Sequence, residues 1–131
     1  MSSWTAAAIV MLGSAAGGVA RYLVSRLLEP RWTGAFPWAT LTVNLSGSLA
    51  IGGLLALPTT GAGIIMNPSL QLFLALGFLG SYTTVSSFSL QMFELMQHGR
   101  FWRAWSYASA SVLGCLAAAA LGWCAIRILL A

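Results

Sequence analysis

"GFLGSYTTVSSFSLQ", Gly77–Gln91, sets Ser81, Thr83, Thr84, Ser86, Ser87 and Ser89 inside an otherwise strongly apolar chain. Gly80 weakens a helix, and clustered Ser and Thr side chains compete with the ladder for backbone hydrogen bonds. The apolar run that holds this stretch, residues 68–96, is also longer than the ~20 residues one helix needs to cross a bilayer. Both features predict a membrane helix that breaks between Gly80 and Val85 and then restarts. Broken backbone at membrane depth is tolerated only where protein or a water-filled path covers it. Such a break exposes carbonyls from one half-helix, which can hold a cation, and amides from the other, which can hold an anion. The competing reading folds the hydroxyls back onto their own helix and needs no break.

The rest of the chain agrees with a membrane setting. Of its 131 residues 59% are hydrophobic and 6% charged, with a mean hydropathy of +0.86. Soluble domains carry about a quarter charged residues. Six arginines and two acids, Glu29 and Glu94, cannot dress a water-facing surface. The net charge of +4 is no nucleic-acid footprint, because the arginines lie scattered at the ends of apolar runs, where they snorkel to headgroups. Cys115 and Cys124 lie nine positions apart in one run, too far along a helix to bridge. The N-terminus lacks a basic segment, so the first run reads as a retained span.

Four spans follow, at about residues 4–28, 38–57, 68–96 and 102–130, in one domain covering 1–131. "EPRWTGAFP", "PTTGAG" and "QHGR" separate them. Asn67 before Pro68 reads as a helix cap with proline at the first helical position. Trp4, Trp32, Trp38, Trp102, Trp105 and Trp123 fall near the interfaces, as an aromatic belt would place them. Arg26, Arg31, Arg100 and Arg103 lie on one side and Arg127 on the other, which puts both termini outside. Small residues recur at helical spacing: Gly13 and Gly17, Ser48 and Gly52, and Ala110, Gly114, Ala118 and Gly122. They fit packing within one bundle or between subunits. Four helices leave little interior for a solute path, so an oligomer is expected, most simply a dimer.

Few polar residues occupy the spans. Asn44 is the side-chain amide of the second, and it reads either as glue between helices, the simpler reading, or as a donor to an anion. Tyr107, Ser111 and Cys115 at i, i+4, i+8 draw a mildly polar line along the fourth. Arg21, inside the end of the first span, either snorkels or lines the floor of an anion vestibule. No acid sits in the middle of a span, and no nucleophile–base pair, phosphate loop or metal-ligand cluster is present. An enzyme is not expected.

"GSAAGGVARY", "WATLTVNLSGS", "GFLGSYTTVSSFS" and "YASASVLG" together resemble the Fluc (CrcB-type) fluoride channels, in that family's order and over nearly the whole chain. The resemblance implies an all-α membrane protein of four transmembrane helices, the third broken near its middle, assembled as an antiparallel dual-topology dimer. It implies passive, fluoride-selective export across the inner membrane that relieves fluoride toxicity. It also implies a structural sodium ion at the dimer centre, held by backbone carbonyls at Gly80 and Thr83. The pore residues it points to are Asn44, Phe88, Tyr107, Ser111 and the hydroxyls of Thr84 and Ser87, with Arg21 in the vestibule. Val85 stands where the family usually has a first pore phenylalanine, Gln91 where it has a glutamate, and Cys115 and Ala119 thin the polar line. With the arginine bias, Val85 leaves two assemblies open: a homodimer, or one subunit of a heterodimeric channel. Two other classes share the four-span pattern. A small four-span multidrug transporter needs a membrane-embedded acid in its first span, and none lies between Ser2 and Leu28. A non-transporting assembly subunit would show an intact third helix with Asn44 bonded to protein.

Overall fold

The computed structural model describes residues 2–28, 36–59 and 67–130. Its elements are α1 (Ser3–Leu28), α2 (Trp38–Ala56) with a 3-10 turn over Leu57–Thr59, α3 (Pro68–Gln71), a π-helix over Leu72–Leu79, α4 (Gly80–Tyr82), α5 (Val85–Gln97) and α6 (Phe101–Leu129). The stretch Pro68–Gln97 forms one interrupted span, so among the described residues four stretches are long and apolar enough to cross a bilayer. The predicted spans match these within a few residues. Glu29, Arg31, Trp32 and most of the "PTTGAG" loop lie outside the described residues.

The helix ends follow local chemistry. Asn67 Oδ1 accepts from Ser69 N–H at 2.8 Å, with Pro68 opening the helix behind it, as the sequence predicts. At the other end of the third span, Gly99 takes a φ of +69°. Its N–H donates to Met96 O at 3.0 Å and Arg100 N–H donates to Leu95 O at 2.9 Å. Only a residue without Cβ takes this left-handed turn cheaply, and it reverses the chain from α5 into α6.

Small residues let the helices approach backbone to backbone. A Cβ on Gly13 would overlap the Phe73 carbonyl oxygen, and one on Gly17 the Phe78 carbonyl oxygen. One on Gly52 would meet Ala119 O, and one on Gly122 would meet Leu49 O. The small-residue stripes at these positions therefore serve packing within the chain: α1 against the π-helix, α2 against α6. In a bilayer, such close contact replaces the absent hydrophobic drive.

The outer surface is apolar. Leu12 is 67% exposed, and Leu113 and Leu116 are each 66% exposed, which suits hydrocarbon and not water. Trp4, Trp38, Trp102 and Trp105 are also exposed near span ends. The core gathers Leu41, Leu95, Ala104 and Tyr107, with Phe36, Leu45 and Phe88 packed on them. It ties the start of α2 to α5 and the start of α6. These contacts fix the restarted half of the third span.

Candidate functional site: a cavity at the broken third helix

The predicted break lies at Thr83 and Thr84, both of extended backbone (ψ 158° and 124°). Gly80 itself is helical, with φ −61° and ψ −32°. The hydroxyls take part in two ways. Thr83 Oγ1 folds back and donates to Leu79 O at 2.9 Å, the behaviour expected of an unbroken helix, but one residue later the ladder stops. Thr84 N–H, which would have served Gly80 O in a continuous helix, donates instead to Asn44 Oδ1 at 2.8 Å. Asn44 Nδ2 in turn donates to Thr84 O at 2.9 Å. The amide thus replaces a neighbouring strand, pairing both backbone groups of Thr84 from 40 residues away. Without that pairing, two backbone groups would be stranded at membrane depth.

The restart is capped. Thr84 Oγ1 accepts from Ser87 N–H at 3.2 Å and shares hydrogen bonds with the hydroxyls of Ser86 at 3.1 Å and Ser87 at 3.2 Å. The amides of Val85 and Ser86 belong to the first turn and have no intrahelical acceptor. The positive end of the α5 dipole therefore lies at the break.

A cavity of about 630 Å³ opens there, lined among others by Asn44, Gly80, Thr83, Thr84, Val85, Phe88, Ser111 and Cys115. None of its lining residues is charged. Ser111 is 6% exposed, and its Oγ makes no hydrogen bond of ordinary geometry among the described residues, although the Tyr107 hydroxyl lies near enough to interact with it. A buried hydroxyl without a partner costs about 1–3 kcal/mol unless a ligand or water satisfies it. Asn44 uses one of its two amide protons on Thr84, so the other remains to be donated.

The structure brings Asn44, Thr84, Val85, Phe88, Ser111, Gly80 and Thr83 to one cavity. Ser87 supports it from behind as the bonded partner of Thr84. Tyr107 does not line it. Its ring is fully buried, centred 5.1 Å from that of Phe88 and edge-on to Phe36 at 5.5 Å. Its hydroxyl donates to Gln91 Oε1 at 2.9 Å. The polar line on α6 therefore divides: Tyr107 holds α5 against α6, while Ser111 and Cys115 face the cavity. Arg21 is half-buried on α1, one turn beyond Gly17, and is not part of the lining.

Three further contributors join them, of which Gln91 stands out in the sequence only as a replacement for the family's glutamate. Gln91 follows Phe88 at i+3, so both fall on the α5 face that meets Tyr107. Gly47 follows Asn44 at i+3 and receives the Thr83 methyl, which any Cβ would displace. Ser46 shares a hydrogen bond of 2.9 Å with the Tyr82 hydroxyl, bracing α4 from α2. Helical spacing from Asn44 carried the signal for Gly47; the other two depend on which face meets which.

The break also alters the backbone pairing before it. Diversion of Thr84 N–H leaves Gly80 O without its i+4 donor, and Gly80 is exposed. Oxygen ligands from backbone bind hard cations. Among the described residues no group of three His, Cys, Asp or Glu gathers, and a carbonyl site requires none.

Fold and site together define a multi-pass membrane protein with a cavity at a helix break. The profile described as "CrcB-like protein, Camphor Resistance (CrcB)" matches residues 8–123. The chain is 48% identical over 120 residues, covering 92% of both chains, to a protein named fluoride-specific ion channel FluC 2 from Rhodopseudomonas palustris. It is 43% identical over 121 residues, covering 90% of this chain and 92% of the relative, to fluoride-specific ion channel FluC of Sphingopyxis alaskensis. With FluC of Methylocella silvestris it shares 41% identity over 113 residues, 86% of each chain. The chain belongs to the CrcB/Fluc family of inner-membrane channels, which are not enzymes.

Proposed function

We propose that this protein is a fluoride-selective channel that lets fluoride leave the cell passively, relieving its toxicity. The cavity at the broken third helix carries the reading. It combines a helix N-terminus, a spare amide proton on Asn44 and a buried Ser111 hydroxyl, and no acid in its lining repels an anion. Fluoride is small and strongly hydrated, so a path for it must replace water with good donors. The ring edge of Phe88 is electropositive and adds to them. A membrane potential negative inside drives an anion outward by about 2.3 kcal/mol per 100 mV, so no pump is needed.

The same reading assigns Gly80 and Thr83 carbonyls to a structural sodium ion at the centre of an antiparallel, dual-topology dimer. Gly80 supports the dimer. It is helical, yet an added Cβ would come no closer than 3.9 Å, to Ala75 O. Nothing within the chain demands a glycine there, which leaves room for a second backbone. One chain offers only two of the several oxygens a cation needs, and the second copy supplies the rest. Against a non-transporting subunit stands the break itself, since such a protein keeps its third helix whole. Asn44 does bond to protein, but that bond holds the break open.

A heterodimer is the second reading, favoured by Val85. It is 77% exposed on the cavity wall and offers no ring edge. Expression of this chain alone in cells stripped of their own fluoride export tests both. Restored growth on fluoride supports a self-sufficient channel. Growth restored only with a second, related subunit supports the pair, and none in either case contradicts the function.

A further inference from the structure

We propose that Tyr82 is a positioning residue for permeation: its hydroxyl, bonded to Ser46, holds the end of the first half-helix on α2, so that the Asn44 amide meets the break in conducting geometry. The inference rests on the channel reading above. Tyr82 is the last residue before the extended pair Thr83 and Thr84. It falls midway along the span Pro68–Gln97, away from the interfaces where tyrosines gather. At that depth a phenol finds its partner in protein and not in bulk water. Ser46 is that partner, at 2.9 Å. Its own hydroxyl has one proton and donates it to Val43 O at 3.1 Å, so the bond between the two side chains is donated by Tyr82. The chain of donors runs from Tyr82 through Ser46 to the α2 backbone.

The ring is held as well as the hydroxyl. It stacks on Phe78 with centroids 5.9 Å apart and planes 11° from parallel. Its edge lies over Gly47, where an added Cβ would come within 3.4 Å of Tyr82 Cδ1. Asn44, Ser46 and Gly47 are close neighbours on α2, so this helix grips the break twice. Asn44 pairs with Thr84 after it, and Ser46 pairs with Tyr82 before it. Two residues apart on α2, the grips leave that helix about 200° from each other, so neither replaces the other. Asn44 fixes the backbone after the break but not the turn before it. Groups that handle an ion must be held to within about 0.5 Å, and the Tyr82 bond does this for the first half-helix.

The test reads single channels of the full chain in planar bilayers, with fluoride as the permeant ion. Tyr82→Phe keeps the ring contacts and removes only the donor. The expected result is a unitary fluoride current lowered about threefold, the factor an average hydrogen bond between membrane helices is worth. Ser46→Ala should lower it alike and the double variant no further, while Ser46→Thr, which keeps a hydroxyl, should leave it intact. An unchanged unitary current in Tyr82→Phe overturns the inference. So does a loss confined to the number of active channels, which marks a bond that serves stability alone. Losses that multiply in the double variant overturn it too, since the two hydroxyls then act apart. If Tyr82→Phe does not insert, Ser46→Ala carries the same test. Unmodified protein that inserts but passes no fluoride defeats the channel reading instead, and the inference with it.

Discussion

Asn44 stands at the centre of the site because its amide can do what neither carboxylate nor hydrocarbon can: donate to Thr84 O and accept from Thr84 N–H at once. Asn44→Asp keeps the acceptor and loses the donor. It leaves a buried carbonyl unpaired, at about 1–3 kcal/mol, and places negative charge in the proposed anion path. Fluoride efflux should stop while the protein still inserts; normal efflux would remove Asn44 from the path. Ser111 offers the opposite test. Its hydroxyl makes no hydrogen bond of ordinary geometry to a described residue, so Ser111→Ala should leave thermal stability little changed. If the hydroxyl serves the ion, efflux should still fall about tenfold, within the range a lost buried donor gives. Lost stability with unchanged efflux would instead make Ser111 a packing residue.

Among the elements, the interrupted third span shows what the sequence could and could not disclose. The break was legible because hydroxyl clustering and excess length are local signals, and it fell within the predicted Gly80–Val85 window. The cap at Asn67 was legible for the same reason. The π-helix over Leu72–Leu79 was not. It lies against α1, where Gly13 and Gly17 admit its backbone, and no local pattern reports a contact across some sixty residues. Nor could the sequence show that Asn44 meets Thr84, or that Tyr107 turns to Gln91. Which faces meet is decided by packing. Two glycines separate packing within the chain from packing beyond it. Gly122→Ala drives a methyl into Leu49 O and should destabilise the α2–α6 pair by about 1–3 kcal/mol, seen as a lower unfolding temperature. Gly80→Ala has open space within the chain. It should keep helicity and insertion yet lose dimer on crosslinking in membranes. A Gly80→Ala protein that still dimerises would place the interface elsewhere.

The whole molecule is a thin-walled bundle in which the polar groups at the helix break gather at one cavity. Its outer faces carry leucine and tryptophan, its charges lie near span ends, and its third helix is opened by a side chain from the second. Such a chain gains little from more core; its apolar faces need a bilayer outside. The arginine bias and Val85 bear on whether the proposed partner at Gly80 is a second copy. Fluoride efflux from liposomes holding this chain alone, with chloride efflux as control, addresses the central claim most directly. The account predicts fast fluoride release without chloride release. Equal release of both ions, or none from folded protein in the bilayer, would contradict a self-sufficient fluoride path through the broken helix.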